Sequence, residues 1–155
     1  MPAKKPAAAE LAGFIAKFTP AIAKQAREVL AEARAVAPGA IELVYDNYNA
    51  LAIGFCATER ASDVIFSIAV YPRWISLFLM HAVEFPDPHK LLKGEGKGVR
   101  HIVLKGPETL REPGVAVLVR HALKVAPKPL DPSQPSRIVI KSVSAKQRPR
   151  RPAPV

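Results

Sequence analysis

From Lys93 to His101 the chain reads Lys-Gly-Glu-Gly-Lys-Gly-Val-Arg-His. Three glycines among two lysines, an arginine and a histidine suit one kind of chemistry, in which backbone N–H groups and cations converge on an anion. A phosphate or a carboxylate is the matching ligand. The segment is not a nucleotide P-loop, which requires a hydroxyl residue directly after the lysine, where Gly98 stands. It does not fit a dinucleotide fingerprint either. Arg100 and His101 open a strand-like run rather than a loop tip, so one of them is expected to point along the sheet face. Arg100 there suits a bidentate contact with an anion. The plainer alternative is that the glycines turn the chain while Lys93 and Lys97 are solvated.

A second polar cluster, Tyr45-Asp46-Asn47-Tyr48-Asn49, places hydrogen-bonding groups at a turn, although Asp-Asn is favoured in turns for backbone reasons alone. Trp74 shares a strand face with Phe78 by period-two alternation. Phe78 reads as core, whereas Trp74 is a candidate wall for a planar ligand, with Arg73 beside it as an anion contact. The expected pocket joins Lys97, Arg100, Trp74 and the Tyr45–Asn49 turn at one end or face of the sheet. His81, His89, His101 and His121 form no metal-binding spacing, and no cofactor is called for. Cys56 reads as a small buried residue, and Ser67 and Ser76 lack nucleophile-elbow glycines. No catalytic constellation emerges.

The chain has 155 residues, 49% hydrophobic, and a net charge of +10. This length and composition suit one domain with a real core. Arg137, Lys141, Lys146, Arg148, Arg150 and Arg151 stand in a stretch without acids, so ten minus six leaves the body at +4. Such a tail is expected to be solvated, or to make salt-sensitive contacts with nucleic acid. A lone cysteine fits a reducing, cytoplasmic compartment. No apolar run approaches the roughly 20 residues that span a bilayer, and no export signal is expected.

The elements that must position these residues are legible in the spacing. Leu11, Ile15, Phe18, Ile22, Val29, Leu30 and Ala33 recur helically, with Thr19 as an N-cap and Pro20 opening a second helix. Pro38-Gly39 stops it. Ile41 to Tyr45, Leu51 to Cys56, Val64 to Tyr71, Trp74 to Met80 and Val99 to Leu104 read as strands. Pro86-Asp87-Pro88 is expected to open a short helical turn through Leu92. A last helix spans Pro113 to Val125. The fold class is therefore α+β, an antiparallel, meander-like sheet of five to six strands packed against N- and C-terminal helices. Residues 1–8 are expected to be disordered, 9–126 to form the domain, and 127–155 to be a Pro-rich linker with a possible strand at 137–143 and a basic tail.

Tyr45 to Asn49, Leu51 to Phe55, Tyr71 to Phe78, Pro86-Asp87-Pro88, Leu91-Leu92-Lys93-Gly94, Gly96-Lys97 and Arg100-His101 together resemble the YdhG-like family of domains of unknown function, over roughly Leu11 to Val125. The resemblance implies a compact α+β domain and little chemistry. A frataxin-like iron-chaperone role, described for some relatives, would depend on exposed carboxylates, of which this chain is short. The expected function is a binding module for a small anionic ligand at the Gly/Lys/Arg loop. The alternatives are a nucleic-acid-associated protein using the basic body and tail, or a protein-interaction adaptor, as monomer or homodimer.

Overall fold

Thr19 caps the second helix as its sequence predicts: its hydroxyl accepts the Ile22 N–H at 3.3 Å, and Pro20 occupies the first turn, where a missing N–H costs nothing. The computed structural model describes residues 6–152. Helices α1 (Ala7–Ala16) and α2 (Pro20–Val36) are followed by strands β1 (Ile41–Asp46), β2 (Leu51–Cys56), β3 (Val64–Val70), β4 (Ile75–Leu79) and β5 (Arg100–Leu104). Helix α3 (Pro113–Val125) and strand β6 (Arg137–Val143) complete the chain, and the sheet order is β5-β4-β3-β2-β1-β6. This is the expected α+β fold.

The sheet differs from expectation in one respect. β1 to β5 form an antiparallel meander, but β6 pairs with β1 in parallel, so the sheet is mixed. A parallel pairing needs a crossover, and α3 with the proline-rich segment after it supplies the length. The expected helical turn from Pro86 to Leu92 is also absent. The Asp87 carboxylate accepts the N–H groups of Leu91 and Leu92 at 2.9 Å each, and Lys90 adopts φ 56°. Those two N–H groups are thereby withdrawn from helical bonding. Of the segment expected to be disordered, residues 1–5 lie outside the described residues and Ala7 already begins α1.

All three helices pack on one face of the sheet. Leu11, Phe18, Val29, Leu30, Val115 and Leu118 meet Val44, Leu51, Ile53, Phe55, Phe66, Ile68, Leu77 and Leu79 in one core. Phe55 and Phe66 stack across β2 and β3 with centroids 4.7 Å apart. The opposite face has a smaller cluster of Ile41, Leu43 and Cys56 with Tyr45, Val64 and Val139, to which no helix contributes. That open face is where side chains are available for binding.

Candidate functional site

Pairing register fixes which residues share the open face, because directly opposed residues of neighbouring strands project to the same side. One row across the sheet reads Tyr45, Ala52, Ala69, Ser76, Val103, and the next reads Leu43, Gly54, Ser67, Phe78, His101. Along these two rows β2 and β3 thus present only Ala, Gly and Ser outward, while the same strands fill the helix side with Leu51, Ile53, Phe55, Phe66 and Ile68. The missing volume leaves a trough of about 530 Å³. Ala52, Ser67 and Ala69 form its floor, Tyr48, Tyr71, Phe78 and Met80 its walls, and Asn47, Asn49 and Ser144 its polar margin. Phe78, expected in the core, is therefore a trough wall. Its partner His101 lies beside it with ring centroids 5.4 Å apart.

The two hairpin turns at one end of the sheet supply the other aromatics. Tyr48 and Asn49 sit at the tip closed by the Asn47 N–H on the Ala50 carbonyl at 3.0 Å. Pro72 and Arg73 form the tip closed by the Tyr71 N–H on the Trp74 carbonyl at 2.9 Å, and the Tyr71 and Trp74 rings stack 4.5 Å apart. Cations stand at each aromatic station. The Arg148 guanidinium lies 5.8 Å from the Tyr48 ring centroid, and Arg73 is exposed between Tyr71 and Trp74. Lys93 exchanges both backbone hydrogen bonds with His101 at 2.9 Å, which puts it on the same face as Phe78. The strands carry two carboxylates, Glu42 and Asp46, and both belong to the helix-side register. No strand carboxylate faces the trough.

Lys97, Arg100, Trp74 and the Tyr45–Asn49 turn do not meet in one concavity. β5 starts at Arg100 opposite Leu79 and ends at Leu104 opposite Ile75, which follows Trp74, so Arg100 and Trp74 lie at opposite ends of the sheet, roughly 15 Å apart. The Gly/Lys/Arg loop instead closes on itself: the Arg100 guanidinium donates to the carbonyls of Gly96 and Val99, and Gly98 packs on His81. Lys97 is exposed on this loop. Arg100 has its own backbone for a partner.

Asp46 is likewise withdrawn from any ligand. It is fully buried on the helix side, and its carboxylate accepts from Arg150 at 2.8 Å and Lys17 at 3.4 Å. Arg150, itself buried, also donates to the carbonyls of Asn47 and Tyr48 and stands over the Phe18 ring at 5.6 Å. The Arg148 N–H bonds the Tyr48 carbonyl and the Ser144 N–H the Asp46 carbonyl, each at 2.9 Å. The basic tail, expected to lie outside the domain, is thus built into it and holds the turn that forms one trough wall. Tyr45 faces the open side, but its hydroxyl is buried without a hydrogen-bond partner. Desolvation, and secondarily the nearby Cys56, pushes that hydroxyl above its ordinary pKa. It acts as packing rather than as a proton donor at the trough.

Arg137, at the start of β6, bonds Glu59 at 3.1 Å and holds that carboxyl below its ordinary value of 4.5. A lowered folded pKa means support that is present above 4.5 and lost as pH falls through the folded value. β6 amide protection, corrected for intrinsic exchange, should therefore weaken more from about pH 5 to about pH 3 in the native chain than in Glu59→Gln.

A second cavity of about 350 Å³, which the sequence did not signal, lies where the short 3-10 turn Ala82–Glu84 meets the end of α3. Val64, Ile65, Met80, Phe85, His121 and Val125 line it, with the His121 ring edge-on to Phe85 at 4.7 Å. Three chain segments distant in sequence create it, so no local pattern announces it. Among the described residues no helix is long and apolar enough to cross a membrane, and no group of three or more His, Cys, Asp or Glu side chains is placed to hold a metal ion. No protein-family model, curated protein or solved structure matches the chain.

Proposed function

We propose that this chain is a binding module that holds a planar, anionic ligand in the trough of its open sheet face. One observation carries the reading: a floor of Ala52, Ser67 and Ala69 between aromatic walls, on a face toward which neither strand carboxylate is directed. A small-residue floor lets a flat group approach the backbone, and Tyr48, Tyr71 and Phe78 offer ring faces or edges for it. Arg73, Lys93 and Arg148 supply charge at the margin, where a phosphate or carboxylate stays partly hydrated. Of the Gly/Lys/Arg loop, Lys93 and His101 lie on the trough side and take the anion-binding role. Kinship with the YdhG-like family is proposed on the motif residues, whose self-closing loop gives them a structural role.

Adenosine monophosphate is a suitable probe because it is flat at one end and anionic at the other. At a concentration 100 times its dissociation constant it should stabilise the chain by about 2.7 kcal/mol. Ala52→Phe fills the floor without changing charge and should abolish that stabilisation while leaving the ligand-free melting temperature nearly unchanged, since Ala52 is only half-buried. A shift of equal size in Ala52→Phe, or no shift with any planar anion at millimolar concentration, defeats the proposal.

A further inference from the structure

We infer that the anion this trough accepts is a single strand of nucleic acid, laid across the open sheet with successive bases on separate aromatic stations. The inference rests on the reading of the trough as a site for planar anions and names the class of ligand. Its first support is spacing. The Tyr71–Trp74 stack and the Phe78–His101 pair occupy opposite ends of β4, four residues or roughly 13 Å apart, and Tyr48 forms a third station on the neighbouring turn. One ring system cannot cover stations that far apart, whereas bases joined by a flexible backbone can.

Exposure and charge point the same way. Trp74 is 44% exposed and Tyr48 50% exposed, so two of the largest apolar rings in the chain stand in water on one face. Trp74 and Tyr71 lie nearly parallel, at 14°, which leaves an outer ring face free for a further stacking partner. The cations are distributed, with Arg73 exposed in the turn that joins Tyr71 to Trp74, Lys93 paired with His101 beside Phe78, and Arg148 over Tyr48. One phosphate would call for pooled charges, while a chain of phosphates calls for charges spread along its path. Duplex is disfavoured because base edges in a groove are reached by an inserted helix or ribbon, and all three helices lie on the other face. Stacking platforms flanked by basic side chains are the general solution for unpaired strands, with little sequence preference.

The test uses the full chain, a fluorescein-labelled ten-nucleotide oligothymidylate and oligoadenylate, the matching duplex, and adenosine monophosphate. Trp74 is the only tryptophan, so quenching of intrinsic fluorescence reports stacking at one defined station. Expected are oligonucleotide binding at least tenfold tighter than the mononucleotide, tryptophan quenching on binding, and weaker binding of duplex. The logarithm of affinity should fall against the logarithm of salt concentration with slope about −2, from three phosphate contacts at about 0.7 each. Lys93→Gln should make that slope shallower by about 0.7, while Lys97→Gln, on the self-closed loop, should not change it. Phe78→Ala and Trp74→Ala should each weaken binding by about 5- to 100-fold, and Trp74→Phe should restore most of it. If the mononucleotide binds as tightly as the oligonucleotide, or duplex binds as tightly as single strand, this inference falls and the small-ligand reading stands. If neither the mononucleotide nor the oligonucleotide binds, both fall.

Discussion

Arg150→Ala should destabilise the protein by about 3–5 kcal/mol, because it leaves the Asp46 carboxylate buried without its main counter-charge. Asp46 is fully buried, and Arg150 is the buried cation that faces it at 2.8 Å. The other cation in reach, Lys17, is half-exposed and sits at 3.4 Å, so it compensates only in part. For a chain of this size the loss corresponds to a fall in melting temperature of about 10 °C or more. Chemical denaturation of Arg150→Ala, Asp46→Asn and the double variant measures the coupling directly. The double variant should be less damaged than the sum of the two singles, since removing both charges leaves none unpaired. Loss of less than about 1 kcal/mol in Arg150→Ala would mean that the tail is solvated rather than integral. The same variant should loosen the Asn47–Asn49 turn, because Arg150 donates to the Asn47 and Tyr48 carbonyls, and so should weaken ligand binding at the trough.

The second large effect separates two glycines that look alike in sequence. Gly39 has φ 82°, in the left-handed region, and a Cβ placed there would overlap the backbone carbonyl of Asp131. Gly39→Ala therefore combines backbone strain with displacement of the proline-rich segment that leads to β6. A loss of about 2–5 kcal/mol is expected. Gly13, within α1, has no atom within 4 Å of the position its Cβ would take. Gly13→Ala should stabilise by up to about 1 kcal/mol, since alanine is the better helix former and nothing must move. Thermal or urea denaturation of the two variants should give shifts of opposite sign. Equal effects would contradict the packing of residue 131 against the end of α2.

The basic tail shows how net charge can mislead about partners. The six tail cations invited a nucleic-acid reading on electrostatic grounds alone. In the structure Arg150 is consumed by Asp46, Arg137 by Glu59, and Arg151 donates to the Lys17 carbonyl at 3.3 Å. Deleting the tail would therefore test folding before it tested binding. Arg148, exposed over Tyr48, is the tail cation that the trough can use.

Local chemistry was enough to place the helices and strands, although not the loop that Asp87 holds in place of a helical turn. The Thr19-Pro20 cap, the period-two runs from Ile41 to Leu104 and the apolar stripe of α3 are properties of neighbouring residues, so they were readable before any contact was known. The small residues of the trough floor were equally visible as letters. Ala52, Ser67 and Ala69 lie in ordinary strand segments, and nothing in one strand says that its Ala will sit beside the next strand's Ala. Register across β2 and β3 decided that. It also carried Phe78 from an expected core position to a wall, and it set Arg100 and Trp74 at opposite ends of the sheet although both belong to the same resembling pattern. Tyr48, Tyr71, Trp74, Phe78 and Lys93 are dispersed over 46 positions of sequence and become neighbours on one face only when the strands pair. The Gly/Lys/Arg loop had the stronger signal because its cations are contiguous, yet Arg100 turns back onto its own carbonyls. Sequence shows which groups a segment owns; strand pairing and the buried Asp46–Arg150 contact determine which of them remain free to meet a ligand.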